Sequence, residues 1–267
     1  SHRYVLDYLA EEVIRQQRDE LREFIIQTSI LERFNAEVCE ALTGNPNSQA
    51  LLSELEQANL FLIPLDDERV WYRYHHLFAD FLRTELSKTE TEKLYKKAAF
   101  WHEQNDLLSE AVQYAIESGD LDFLADLIDR AFKEDMIWSG GNLALYLSWL
   151  EALPPQAFHS RPELGLNASH ILYLLGRFEL AEKQIAQVEQ TIDTLPVSSE
   201  KEQMLAQASL YRGAIAAVRG DTQEAIEKIT FAQERLPREK HLLQARGFFS
   251  LGVAYEISGQ TELAIQN

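Results

Sequence analysis

The stretch LFLIPLDDERVWYRYHHLF, residues 60–78, decides the fold of the first part of the chain. An apolar run ends at Leu65, an acidic turn follows, and the chain resumes with Val70 and three aromatic residues, a pattern typical of a β-hairpin. Apolar residues at helical spacing begin again at Leu77. We therefore predict a hairpin over residues 60–74 and a closing helix after it.

The residues before this hairpin predict helices. Apolar stripes run through residues 4–16 and 19–31, and Asn35 and Ser48 are candidate caps of two shorter helices. Three helices, a hairpin and a closing helix predict a winged helix over residues 18–88, with a linker helix over residues 1–17 before it. The helix that reads DNA in many winged helices, here residues 48–56, has no Lys or Arg. This absence favours protein or intramolecular contacts.

Residues 89–267 predict a helical repeat domain. A glycine followed by a polar residue recurs between apolar helices, at Gly119, Gly176, Gly220 and Gly259. The spacing around the last two is that of tetratricopeptide repeats, in which small residues let paired helices pack closely and each hairpin covers the next. The fold class is thus mainly α, a winged helix followed by a TPR-like α-α superhelix. Because the last repeat stops early in its second helix, we expect the domain to be truncated at its C-terminus.

Composition narrows the classes of function. The 267 residues include 25 Lys and Arg against 43 Asp and Glu, a net charge of −18, which argues against nucleic-acid or anionic-membrane binding by this segment. The one cysteine, Cys39, excludes an internal disulfide and is expected to be a buried helix residue. No apolar run approaches membrane-spanning length and the N-terminal residues do not form a secretion signal, so we expect a cytoplasmic protein without membrane contact.

Several segments carry a resemblance to a known family. The sequences concerned are ERF at residues 32–34, NLFLIPLD at 59–66 and WYRYHHLFAD at 71–80. They are very similar to the MalT-like transcriptional activators, LuxR-type regulators among the signal-transduction ATPases with numerous domains (STAND). Residues 4–13 resemble the helix that leaves the nucleotide-binding module of those proteins, and segments within residues 98–120 resemble the start of their helical sensor. Beyond residue 130 the resemblance rests on the repeat pattern, which many unrelated proteins share.

The resemblance implies a layout for the whole protein. An ATPase module would precede the winged helix in cis, the TPR-like domain would bind a small-molecule or protein effector, and a LuxR-type domain beyond this chain would bind DNA. Self-association driven by the effector is also implied. ATP and ADP would be cofactors of the full-length protein. The chain has no G-x-x-x-x-G-K-[ST] loop, so we expect no cofactor in this segment alone.

His75 is the candidate cofactor contact. In related switch ATPases, a winged-helix histidine between the hairpin and the closing helix touches the β-phosphate of ADP, and the resemblance places His75 there. An imidazole can donate a hydrogen bond to phosphate, which would lock a closed, ADP-bound form. The alternative is that His75 and His76 simply end the strand and begin the helix. Neighbouring residues of a strand point to different sides, so we do not expect this pair to bind a metal.

The inner face of the helical domain is a second candidate site, because first helices of such hairpins line the concave surface where ligands bind. The candidate ligand-binding residues are Tyr173, Tyr211, Arg212, Phe248 and Tyr255. For each of them the alternative is a packing role in the hairpin core.

No constellation of catalytic residues stands out, because paired acids are common in so acidic a chain and the histidines are scattered. We expect no enzyme activity, no catalytic residue and no metal site in this segment. The predicted function is regulatory and effector-sensing: the winged helix holds the ADP-bound resting state, and effector binding shifts the protein towards an ATP-bound state. Two alternatives stay open: a protein-binding scaffold without a switch, and the sensor part of a defence-type STAND ATPase.

Overall fold

The computed structural model describes residues 12–58, 60–133 and 142–266. The chain forms two compact units, Ser1–Leu127 and Ile128–Asn267. Most of the predicted linker helix over residues 1–17 lies outside the described residues, and residues 12–15 are helical. In the part of the chain that the structure describes, none of the helices has the length and apolar character needed to span a bilayer.

The first unit contains the predicted winged helix. Its elements are α1 (Asp19–Thr28), α2 (Ala36–Thr43), α3 (Ser48–Gln57), β1 (Leu62–Pro64), β2 (Tyr72–Tyr74) and α4 (His76–Thr84). The strands are antiparallel, with Leu62 opposite Tyr74 and Pro64 opposite Tyr72. Phe34, before α2, extends the pairing by a bridge to Tyr72. The hairpin and the mainly helical fold class predicted from the sequence are both confirmed.

Asp66 holds the turn of the hairpin. Its two carboxylate oxygens accept hydrogen bonds of 2.8 Å from the backbone N–H groups of Val70 and Trp71. These backbone donors stabilise the charged carboxylate and lower the pKa of Asp66. The acidic turn in the sequence therefore closes the two strands.

Tyr74 is at the centre of the winged-helix core. Its ring lies 4.7 Å from that of Phe34 and 5.8 Å from that of Phe78, between centroids. Its hydroxyl forms a 2.8 Å hydrogen bond with the hydroxyl of Thr28, and burial raises the pKa of this hydroxyl.

Cys39 is also fully buried, as predicted. Burial raises the pKa of its thiol, so Cys39 is an inert packing residue.

The two predicted helix caps have different outcomes. The side chain of Asn35 accepts a 3.0 Å hydrogen bond from the N–H of Val38 and caps α2 as predicted. The prediction for Ser48 was wrong, because α3 already begins at this residue. The hydroxyl of Ser48 instead donates to the carbonyl of Asn45, at 2.7 Å, and closes the turn before the helix.

The first helical hairpin packs on the winged helix. It consists of α5 (Lys88–Gln104) and α6 (Leu108–Ser118). The N–H of Glu32 donates to the Tyr114 hydroxyl at 3.1 Å, and Lys97 donates to the carbonyl of Leu42 at 2.8 Å. These hydrogen bonds join the hairpin to the winged helix, and both lie in the compact unit that ends at Leu127.

The second unit is built from helical hairpins. After α7 (Leu121–Lys133), whose residues are divided between the two units, come α8 (Leu143–Glu151), α9 (Pro155–Ser160), α10 (Pro162–Leu174), α11 (Phe178–Thr194), α12 (Ser199–Arg219), α13 (Thr222–Arg235), α14 (His241–Ile257) and α15 (Thr261–Gln266). The pairs α10–α11, α12–α13 and α14–α15 turn at Gly176, Gly220 and Gly259, with φ of 70°, 85° and 78°. Glycine adopts this left-handed conformation without steric cost, which explains its recurrence there.

Gly213 marks the closest approach between α12 and α13. A Cβ atom at this position would lie 2.6 Å from Cγ1 of Ile229 and 3.0 Å from Cβ of Lys228. At Gly252 on α14, by contrast, the nearest atom to such a Cβ is the Ala264 carbonyl oxygen at 3.5 Å, an ordinary contact. The two glycines occupy equivalent repeat positions in the sequence, but only the first is required by packing.

We expect Gly213→Ala to lower the free energy of unfolding of the chain by about 1–3 kcal/mol, because the added methyl group overpacks the α12–α13 contact. Gly252→Ala is the matched control and should raise it by about 0.5–1 kcal/mol, since alanine favours a helix interior and has room here. Urea denaturation followed by circular dichroism measures both. Equal effects of the two substitutions would contradict the assigned packing.

The Tyr114 hydroxyl provides a second test, in the first unit. Tyr114→Phe removes the acceptor for the Glu32 N–H and should cost about 1–3 kcal/mol of unfolding free energy. Tyr95→Phe, on the ring stacked 6.2 Å from Tyr114, is the control and should change it by less than about 0.5 kcal/mol. The measurement is again urea denaturation, and an equal loss in both variants would show that this hydroxyl does not join the hairpin to the winged helix.

Candidate functional site

His75 lies between β2 and α4. Its backbone N–H donates to the Phe61 carbonyl at 2.8 Å, and its own carbonyl accepts from the N–H groups of Phe78 and Ala79 at 2.9 and 3.0 Å. The side chain is half-buried and forms no capping hydrogen bond to α4. The backbone is therefore fixed on both sides, and the imidazole is positioned at the positive end of the α4 helix dipole.

The rings of His75 and His76 stack on each other. Their centroids are 4.6 Å apart and the ring planes are inclined by 26°. The expectation that the two side chains point to different sides was wrong, because the chain leaves the extended strand at His75 and enters the helix at His76. Among the described residues, no group of three or more His, Cys, Asp and Glu side chains is arranged to hold a metal ion.

The second unit has a groove of about 340 Å³ formed by α10, α12 and α14, the first helices of three successive hairpins. We refer to it as the three-helix groove. Two of the five candidate residues, Tyr173 and Tyr211, line it. The structure adds to them three residues that sequence reasoning missed, His170, Arg246 and Phe249.

Tyr211 organises the polar part of the groove. Its hydroxyl accepts a 2.9 Å hydrogen bond from the Gln207 amide and a 3.1 Å bond from the Arg246 guanidinium. Its ring stacks on that of His170, with centroids 5.0 Å apart. Burial raises the pKa of Tyr211, so the phenol keeps its hydrogen and remains a donor as well as an acceptor.

His170 is neutral in this environment. Loss of solvation holds the pKa of its imidazole well below the ordinary value, and the nearby positive charge of Arg246 lowers it further. Of the side chains that the structure shows lining the groove, only Arg246 therefore carries a full charge at neutral pH. The groove combines aromatic and aliphatic walls with one cationic group.

The other three candidate residues lie outside the groove. Arg212 forms two hydrogen bonds, of 3.0 and 2.6 Å, with the carboxylate of Glu189 on α11. Phe248 is 44% exposed and does not line the groove. Tyr255 packs against the hydrophobic core of the second unit. The predicted set of five thus does not converge on one site.

A helical stripe on α14 is the signal that identifies the missed residues. The groove-lining residues of this helix are Leu242, Ala245, Arg246, Phe249 and Ser250, at spacings of three, four, seven and eight from the first. This spacing places side chains on one face of a helix. On α10, His170, Tyr173 and Leu174 follow the same rule.

Comparisons with known proteins support the first unit most directly. Residues 10–94 match the family model of the MalT winged helix domain. The serine/threonine-protein kinase PknK of Mycobacterium tuberculosis is 30% identical over 228 residues, 84% of this chain and 20% of that protein. The HTH-type transcriptional regulator MalT of Cronobacter sakazakii is 29% identical over 263 residues, 96% of this chain and 27% of that protein. The chain thus spans about a fifth to a quarter of the length of these curated relatives.

A solved structure has the same fold. It is the crystal structure of a STAND protein with a tetratricopeptide repeat sensor from Pyrococcus horikoshii, with a TM-score of 0.65 and 17% identity over 98% of this chain and 37% of that chain. Residues 10–94 therefore form a MalT-type winged helix domain, and the chain as a whole is similar to the MalT regulator and has the fold of that STAND protein, a winged helix followed by helical hairpins.

Proposed function

We propose that this chain is the regulatory and effector-sensing part of an ATP-dependent transcriptional regulator in the cytoplasm. The winged helix holds the ADP-bound resting state of an ATPase module in the same protein. The helical hairpins bind an inducer or a regulatory protein, and this binding shifts the protein towards an ATP-bound, self-associating state that acts on DNA through another domain.

The position of His75 is the observation that carries the proposal. It lies within the residues that match the MalT winged helix domain. Its half-buried imidazole stands at the N-terminal end of α4, where the helix dipole favours an anion. The residues present thus fit a phosphate. When ADP is bound, His75 would donate a hydrogen bond to a phosphate oxygen, and this contact would hold the winged helix in the closed position. Backbone hydrogen bonds with Phe61, Phe78 and Ala79 fix His75 for this role.

The relatives also support a regulatory role. One is named a kinase and the other a transcriptional regulator, yet both contain a segment similar to this chain. Because one relative is named for phosphorylation and the other for transcription, the segment that they share is better suited to regulating these activities than to carrying out either of them. In α3, moreover, Glu54 and Glu56 pair with Arg18 and Arg69 of the same unit, so this helix uses its acidic side chains for internal contacts.

The test is His75→Ala in the natural protein that contains this chain. The variant should bind ADP about tenfold more weakly or worse, since hydrogen bonds to charged groups contribute about 1.5–3 kcal/mol. Equilibrium titration with ADP gives the dissociation constant, and high basal transcription is the expected consequence of a weakened resting state.

His76→Ala is the matched control, because it removes the exposed partner of the stacked pair and leaves His75 in place. It should bind ADP within about threefold of the unaltered protein. If His75→Ala retains the original affinity and basal activity, the proposed resting-state contact is wrong.

A further inference from the structure

The three-helix groove has the size and chemistry of a small-molecule site. Ligand sites in proteins are typically clefts of about 300–1,000 Å³ with mostly apolar walls and a few placed polar groups, and this groove encloses about 340 Å³. A volume near the lower limit fits a compact molecule of one or two rings.

The cationic group in the groove favours a ligand that carries a negative charge. The Arg246 guanidinium lies at the wall of the groove and donates to the Tyr211 hydroxyl at 3.1 Å. Guanidinium groups match the geometry of carboxylates, which they bind by two parallel hydrogen bonds. The side chains that line the groove include no Asp or Glu, so within the described residues a carboxylate there meets a positive charge.

The aromatic walls of the groove favour a ligand whose apolar part is a ring. The stacked rings of His170 and Tyr211 form one wall, and Tyr173 extends it. Phe249 stands at the rim with 70% of its surface exposed, although it is a large apolar side chain. An aromatic ring that enters the groove would contact the rings of these residues and cover Phe249. Pairs of aromatic rings favour such stacked or edge-to-face contacts.

We propose that the three-helix groove binds a small aromatic carboxylate, with the carboxylate on Arg246 and the ring against Tyr211, His170 and Phe249. The inference rests on the proposed function for its biological role, because a molecule bound there would be the effector that the helical hairpins sense. Binding itself depends only on the second unit and is tested separately.

The experiment is isothermal titration calorimetry of the full 267-residue chain with 2-naphthoate and with 2-naphthamide, its neutral analogue of the same shape. We expect 2-naphthoate to bind about tenfold more tightly or better, since hydrogen bonds to charged groups are the stronger ones. In Arg246→Gln this preference should disappear. Equal affinities for the two compounds in the unaltered chain, or no binding of 2-naphthoate at millimolar concentration, would overturn the proposal.

Phe249→Ala and Phe248→Ala form a matched pair that does not depend on the folding of the Arg246 variant. Both residues are exposed neighbours on α14, but only Phe249 lines the groove. Phe249→Ala should weaken binding of both compounds by about fivefold, and Phe248→Ala should change it by less than about twofold. Equal effects of the two substitutions, or a preference for 2-naphthoate that survives Arg246→Gln, would place the binding elsewhere and overturn the assignment.

Failure of this inference and failure of the proposed function give different results. If 2-naphthoate does not bind while His75→Ala loses ADP, the groove assignment is wrong and the switch stands. If 2-naphthoate binds in the groove while His75→Ala retains ADP, the site stands and its role in the proposed switch does not.

Discussion

Close contact between the two helices of a hairpin is the constraint on which the second unit depends. At Gly213 the α12 backbone lies so near Ile229 and Lys228 of α13 that a side chain has no room. Gly165 of α10 has the same function against Val188 of α11. With the pairs held this tightly, α10, α12 and α14 lie side by side. Their apolar stripes then face one another, and the three-helix groove is the result.

The first unit achieves rigidity by different means. Aromatic packing around Tyr74 and the carboxylate of Asp66 hold the hairpin, and the hairpin in turn holds His75 through the Phe61 carbonyl. Both candidate sites therefore combine a fixed backbone with side chains suited to an anion. The phosphate proposed at His75 and the carboxylate proposed at Arg246 would be bound by the same physical means, donors that are positioned before the ligand arrives.

Local chemistry in the sequence predicted most of the fold. The apolar run, acidic turn and aromatic residues over 60–74, the glycines of the turns and the cap at Asn35 each depend on neighbouring residues, and the structure has the hairpin, the turns and the cap that they predict. The error at Ser48 arose because the preceding turn, closed by Asn45, could not be inferred from a cap preference. The stacking of His75 on His76 depends on where the strand ends, which the pattern locates only to within a residue or two.

The groove could be predicted only in part. Adjacent helix residues point about 100° apart, so choosing Phe248 instead of Phe249 moves a side chain out of the groove. The repeat pattern identifies first helices but not their rotation. The helical spacing on α14 places Arg246 on the same face as Leu242 and Phe249, but only the structure shows the hydrogen bond to Tyr211 that makes Arg246 part of the groove.

The proposed switch requires that ligand binding in the groove and ADP binding at His75 are linked within one protein, and such linkage is reciprocal. The most direct measurement is the equilibrium affinity of the natural protein for ADP, determined with and without saturating 2-naphthoate. If the two sites are linked in this way, the aromatic carboxylate should weaken ADP binding by about fivefold or more. An affinity for ADP that is unchanged when the groove is occupied would contradict it.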